Sequence, residues 1–214
     1  MAKKPLTFYL DFISPYAYLA FERLPKIIEG RDLQVTYRPV LFAGLLKHFG
    51  QLGPAEIPGK REWTFAQSLW LAQQEKIDLD LPRVHPFNPL PLLRLALATS
   101  IDGSPSREVC RQIFRHVWVG GEDPTDEGRY QALIGECKLF RPLDCDEVKS
   151  QLRVFTEEAT KDGVFGVPSI KLDGCMFWGN DSLAMLDDFL KNETTYRRNW
   201  DAASSVGVSA VRKR

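Results

Sequence analysis

Ser14, Pro15 and Tyr16 follow directly on the apolar run Leu6-Thr7-Phe8-Tyr9-Leu10-Asp11-Phe12-Ile13. A hydroxyl between a strand and a proline at the first helical position stands at a helix start. Amide N–H groups there have no intrahelical acceptor, and the helix dipole favours negative charge. Ser14 can therefore cap the helix by accepting one of those N–H groups, or donate to an anion held there. Two later segments carry related chemistry. Val167-Pro168 is an X-Pro pair at the entrance to a short apolar run, and Asn180-Asp181 precede another helical pattern. Asp181 or Asn180 can cap that helix.

Other chemistry is not expected. His48, His85 and His116 are dispersed and form no H-x-x-H pair, and Cys110, Cys137, Cys145 and Cys175 show no C-x-x-C spacing, so no metal site is expected. Without a secretory signal the cysteines read as reduced. Lys+Arg and Asp+Glu both total 28, giving a formal net charge of zero, so nothing suggests a field that steers nucleic acid or an anionic membrane. Lys3 and Lys4 precede an apolar stretch that Asp11 interrupts, which reads as neither a signal peptide nor a membrane span. The expected setting is the cytoplasm. At 214 residues and 44% hydrophobic content the chain can build a proper core.

The elements that must position these groups follow from the patterning. Residues 6–13 read as a strand, Pro15 to about Ile28 as a helix with Pro25 inside it, and Leu33–Val40 as a second strand parallel to the first. From about Leu41 to Asp162 the pattern is helical. Trp63, Ala66, Trp70 and Gln73/Gln74 follow helical spacing, as do Leu92, Leu93, Ala96 and Leu97, and these Trp and Leu stripes are expected in the core. Ser104-Pro105 reads as a cap-then-proline start for the helix carrying Val109, Ile113, Phe114 and Val117, and a further helix carries Val148, Leu152, Phe155 and Ala159. Val167–Leu172 and Cys175–Trp178 flank Asp173-Gly174, a favoured hairpin turn. A helix with Leu183, Leu186, Phe189 and Leu190 on its inner face comes next, and from Thr194 the pattern dissolves into a tail ending Val211-Arg212-Lys213-Arg214.

Three separated motifs give the chain a family resemblance: Asp11-Phe12-Ile13-Ser14-Pro15-Tyr16-Ala17-Tyr18-Leu19-Ala20, Gly163-Val164-Phe165-Gly166-Val167-Pro168-Ser169, and Phe177-Trp178-Gly179-Asn180-Asp181-Ser182-Leu183. With Pro86-Phe87-Asn88-Pro89-Leu90 they resemble the 2-hydroxychromene-2-carboxylate isomerases, glutathione-dependent relatives of the kappa-class glutathione transferases in the DsbA-like branch of thioredoxin folds. The resemblance spans about residues 6–191. It implies an α/β thioredoxin-like fold with a large all-α insertion: residues 1–42 and 163–193 as the thioredoxin-like domain, 43–162 as the inserted helical domain, and 194–214 as a loosely ordered tail.

The resemblance also implies roles. Ser14 and Ala17 stand where redox members carry C-x-x-C, so disulfide exchange is excluded and Ser14 becomes the catalytic hydroxyl that holds the thiolate of glutathione. Pro15 and Tyr16 belong to that helix start. Val167 precedes a cis proline, Pro168, and pairs with the cysteinyl backbone of glutathione; Asn180 and Asp181 receive its γ-glutamyl end. Gln51 is the counterpart of a family Asn, from which it departs in type, and Lys60 or Arg61 reaches the glycyl carboxylate or an acidic substrate. Phe12, Phe42, Trp63, Phe87 and Trp178 are candidates to line an apolar pocket for a small aromatic carboxylate, with Lys60, Arg61 or His48 near them in sequence. The implied reaction interconverts 2-hydroxychromene-2-carboxylate and trans-o-hydroxybenzylidenepyruvate in naphthalene breakdown, by reversible thiolate addition that frees a double bond to rotate. The alternatives are a kappa-type transferase that conjugates glutathione to an electrophile, or a non-catalytic glutathione- or partner-binding module. Family members are usually homodimers.

Overall fold

The computed structural model describes residues 3–207. A four-stranded sheet is built from β1 (Lys4–Leu10), β2 (Leu33–Pro39), β3 (Ser169–Leu172) and β4 (Cys175–Trp178), in the order β2-β1-β3-β4. β1 and β2 run parallel through α1 (Pro15–Ile28), as the strand-helix-strand pattern predicts, while β3 pairs antiparallel with β1 and with β4. Leu6, Phe8 and Leu10 alternate onto one face of β1 and are fully buried. Asp173 and Gly174 both take positive φ, 49° and 77°, as the two-residue hairpin turn between β3 and β4 requires.

Between β2 and β3 the chain is helical: α2 (Phe42–Phe49), a 3-10 turn at Pro54–Glu56, α3 (Lys60–Glu75), α4 (Leu90–Ala98), α5 (Arg107–Trp118), α6 (Glu127–Glu136) and α7 (Asp146–Lys161). The chain closes with α8 (Ser182–Lys191) and α9 (Glu193–Ser204). Among the described residues no helix is long and apolar enough to cross a membrane.

Several elements differ from expectation. β1 ends at Leu10, so residues 11–14 form a turn that delivers Ser14 rather than the end of a strand. The cap of α5 is Ser106, whose side chain accepts the Val109 N–H; Ser104 lies before the helix, with its own N–H on Asp102. Residues 194–204, expected to be loose, are helical: Tyr196 lays its ring against Phe177 and Phe189 and donates its hydroxyl to the Met176 carbonyl at 2.7 Å. The basic end Val211–Arg214 lies outside the described residues.

The Trp stripe of α3 is the largest reversal. Trp63 and Trp70 are exposed (65% and 56%), and the buried positions of α3 are Thr64, Ser68 and Ala72. These small residues, four apart, let α3 approach α1 closely. Their hydroxyls are satisfied within the helix, Thr64 on the Lys60 carbonyl and Ser68 on the Thr64 carbonyl, so their burial leaves no unpaired polar group.

Candidate functional site

Ser14 caps α1 from extended backbone and is 7% exposed. Its Oγ accepts the Ala17 N–H at 3.2 Å and faces the Val167 carbonyl at 3.4 Å. The second contact is near the outer limit of a hydrogen bond, so the hydroxyl proton is only weakly committed. Capping and donation are thus not exclusive: one lone pair serves the helix while the O–H remains available. Pro15 removes one N–H that would have no partner, and the Tyr16 N–H has no backbone acceptor among the described residues.

Val167 comes from the other end of the fold. The Val167–Pro168 peptide is cis, and the Pro168 carbonyl accepts the Gly179 N–H at 2.9 Å, which ties this loop to the start of α8. Gly166 packs under Trp178: a Cβ there would fall 2.6 Å from Trp178 Nε1. Trp178, half exposed, meets Phe165 edge-on at 4.8 Å and forms an aromatic wall beside Val167.

At the start of α8 the two acceptors divide. Asn180 is buried and receives Arg23 on its carbonyl (3.2 Å) and on Oδ1 (3.0 Å); Arg23 also pairs with Glu75 of α3 at 2.9 Å. Asp181 makes no side-chain cap bond, the Ser182 hydroxyl returning instead to the Gly179 carbonyl, so its exposed carboxylate keeps its lone pairs. Asp181 acts electrostatically on Tyr16, whose hydroxyl pKa is raised by burial first and by that carboxylate. Tyr16 donates to Gln67 of α3 at 2.5 Å. The start of α1, the Val167-Pro168 loop, the start of α8 and one face of α3 therefore converge.

The remaining expected residues lie further out. Gln51 and Lys60 are exposed and have no bond to this cluster among the described residues; Lys60 sits one turn before Thr64, on the side of α3 that meets α1. Arg61 places its guanidinium 5.7 Å from the Phe65 ring, and His48 packs on Phe49. Of the expected pocket aromatics, Phe12 is fully buried against Phe114 at 4.9 Å and is core, Trp63 and Trp178 are exposed, and Phe42 and Phe87 are half-buried. A depression of about 380 Å³ on the sheet is lined by Tyr9, Arg38, Asp162 and Lys171 and does not include Ser14. Within it Lys171 pairs with Asp162 at 2.6 Å and Tyr9 donates to the same carboxylate at 2.7 Å.

Asp11 is a group whose importance the sequence did not announce. It is fully buried, accepts the Ile13 N–H (3.2 Å) and the Phe42 N–H (2.9 Å), and burial raises its pKa to about 7 against those bonds. The signal was available: an Asp interrupting an otherwise apolar run has to find partners inside.

A mixed sheet with a helical insert, and a helix-capping serine facing a cis-proline loop, define a thioredoxin-like protein. Residues 5–191 match the DSBA-like thioredoxin domain, and the chain belongs to that family. It is 27% identical to a 2-hydroxychromene-2-carboxylate isomerase of Sphingobium xenophagum, over 87% of this chain and 98% of that protein. It is also 27% identical to glutathione S-transferase kappa 1 of Rattus norvegicus, over 86% and 90% of the two chains. A solved 2-hydroxychromene-2-carboxylate isomerase superposes with a TM-score of 0.75 at 26% identity, covering 92% of this chain and 98% of that one.

Proposed function

We propose that this chain is a glutathione-dependent isomerase that interconverts 2-hydroxychromene-2-carboxylate and trans-o-hydroxybenzylidenepyruvate, with Ser14 as its catalytic hydroxyl. One observation carries the reading: a buried serine hydroxyl, weakly committed to the Val167 carbonyl, stands at the start of α1 with serine and alanine at the two positions of the redox motif. The donor set fits glutathione. Ser14 and the Tyr16 N–H offer donors to a thiolate; the backbone at Val167 suits a peptide-like segment; Asp181 offers an unspent carboxylate to an ammonium group. Asn180, already held by Arg23, keeps its amide N–H for a carboxylate. Lys60, an exposed cation one turn before Thr64 on α3, and Gln51 are assigned to the outer end of the ligand.

Glutathione when bound supplies a thiol nucleophile that the chain does not present at its own helix start. The residues then have separable tasks. Ser14 stabilises the ionised sulfur by hydrogen bonding, aided by the amide dipoles of α1. Phe165 and Trp178, packed edge-on beside Val167, present apolar ring surface to an aromatic substrate. The proposal includes a cytoplasmic setting and a homodimer.

A kappa-type transferase is the second reading, favoured by the equal identity to the rat transferase and to the isomerase. Parallel assays of chromene isomerisation and of conjugation to chlorodinitrobenzene, each with and without glutathione, separate the two. Glutathione-dependent isomerisation without accumulating conjugate supports the isomerase; stoichiometric conjugate without isomerisation overturns it in favour of the transferase.

A further inference from the structure

The turn that carries Ser14, residues 11–14, has no secondary structure of its own, yet each of its carbonyls has a donor. The Asp11 carbonyl receives the Ser14 N–H at 3.2 Å. The Phe12 carbonyl receives Trp118 Nε1–H at 2.9 Å, and the Ile13 carbonyl meets His85 Nε2 at 2.9 Å. Both side chains come from the helical insert, Trp118 as the last residue of α5 and His85 from the connection between α3 and α4.

The His85 contact sets the geometry of the site most directly. A peptide unit is planar, so the Ile13 carbonyl and the Ser14 N–H are two ends of one rigid plate. One end is held by His85 and the other by the Asp11 carbonyl. With the plate fixed at both ends, Ser14 keeps only its own φ, ψ and side-chain torsion, and its cap bond to Ala17 selects among those. The imidazole is itself locked. Phe65 and Phe87 meet it edge-on at 5.1 and 6.0 Å, and Trp118 lies 5.8 Å away.

Its protonation follows from its partner. A carbonyl only accepts, so Nε2 carries the hydrogen and Nδ1 is left as a bare acceptor, which is buried without a partner. Leaving a buried acceptor unmatched is a cost that a purely space-filling residue would not incur.

We propose that His85 is a positioning residue for the proposed reaction. Its Nε2–H fixes the Ile13–Ser14 peptide so that the Ser14 hydroxyl points at the sulfur of bound glutathione. His85 touches neither thiol nor substrate and acts through Ile13. This inference rests on the reading of Ser14 as the thiolate's donor, and its test separates the two.

The thiolate ultraviolet absorbance of glutathione bound to the full chain is titrated against pH for the wild type and for His85→Phe, His85→Gln and His85→Asn, with circular dichroism to check folding. Gln extends an amide donor to about the place of Nε2, Asn stops one bond short, and Phe fills the aromatic slot without a donor. The expected result is a thiol pKa about one unit higher in the Phe and Asn variants, about a tenfold change in the ionisation constant, and restored in the Gln variant. A folded Phe variant with the wild-type titration overturns the role of His85, as do equal titrations of the Gln and Asn variants should the Phe variant fail to fold. A wild type without any bound thiolate signal overturns the Ser14 reading and this inference with it.

Discussion

Ser14 and Val167 are separated by more than 150 positions in the chain, yet the serine Oγ lies 3.4 Å from the valine carbonyl oxygen while accepting the Ala17 N–H at 3.2 Å. The hydroxyl is thus held at the mouth of α1 by a good bond as acceptor and a weak one as donor. That asymmetry leaves the donor free for an incoming anion without unmaking the cap.

Arg23 links three parts of the site, bonding the carbonyl and side chain of Asn180 and pairing with Glu75. Arg23→Met keeps the aliphatic stem but leaves a buried amide oxygen unpaired, which costs about 1–3 kcal/mol. The ion pair itself, partly open to water, adds little. Urea unfolding is expected to show that loss, and glutathione affinity measured by calorimetry is expected to fall with it.

Asp11 makes stability depend on pH. Its folded pKa, raised by burial to about 7, lies above the usual value of 3.8, so between those limits the folded state holds a proton that the unfolded state has released. The contribution is fully present below about pH 4 and is lost as pH rises through about 7. Asp11→Asn removes that titration. The stability of wild type relative to Asp11→Asn, taken from denaturant midpoints, is expected to decline from pH 5 to pH 8; a flat or rising difference contradicts the assignment.

The fold was readable where physical signals were local. β1, α1, β2 and the Asp173-Gly174 hairpin followed from alternation, from the Ser14-Pro15 helix start and from turn chemistry. The aromatic face of α3 was misread because hydrophobic periodicity favours Trp63 and Trp70, whereas close packing of α1 selected Thr64, Ser68 and Ala72, whose hydroxyls bond their own helix. α9 was missed because its contacts are tertiary and have no sequence period: Tyr196 lies against Phe177 and Phe189, and Arg197 lies over Phe189. At the site, the nearness of Ser14 to Val167 was expected through the family motifs. The support from His85 and Trp118 was not, since each reaches the Ser14 turn from the helical insert, and neither was the Phe42 N–H that Asp11 accepts from within that turn.

Gly166 tests the aromatic wall. A methyl group there would fall 2.6 Å from Trp178 Nε1, and the half-exposed indole has room to swing away. Gly166 is itself buried, so Gly166→Ala is expected to cost about 1–3 kcal/mol of stability, as overpacking does. It should shift Trp178 fluorescence and raise KM for an aromatic substrate with little change in kcat. Unaltered fluorescence together with an unaltered KM would remove Trp178 from the substrate surface.

The central claim is that Ser14 lowers the pKa of bound glutathione. A hydrogen bond to a charged group is worth about 1.5–3 kcal/mol, which is about one to two pKa units. Loss of the helix cap in Ser14→Ala costs about 1 kcal/mol of stability, small enough for the folded variant to be studied. Titration of the thiolate absorbance of bound glutathione in wild type and Ser14→Ala is the decisive measurement. The predicted result is a wild-type thiol ionising below the free-thiol value of about 8.5, and a rise of about one to two units toward that value in the variant. A folded Ser14→Ala variant that binds glutathione and titrates as the wild type does would contradict the account.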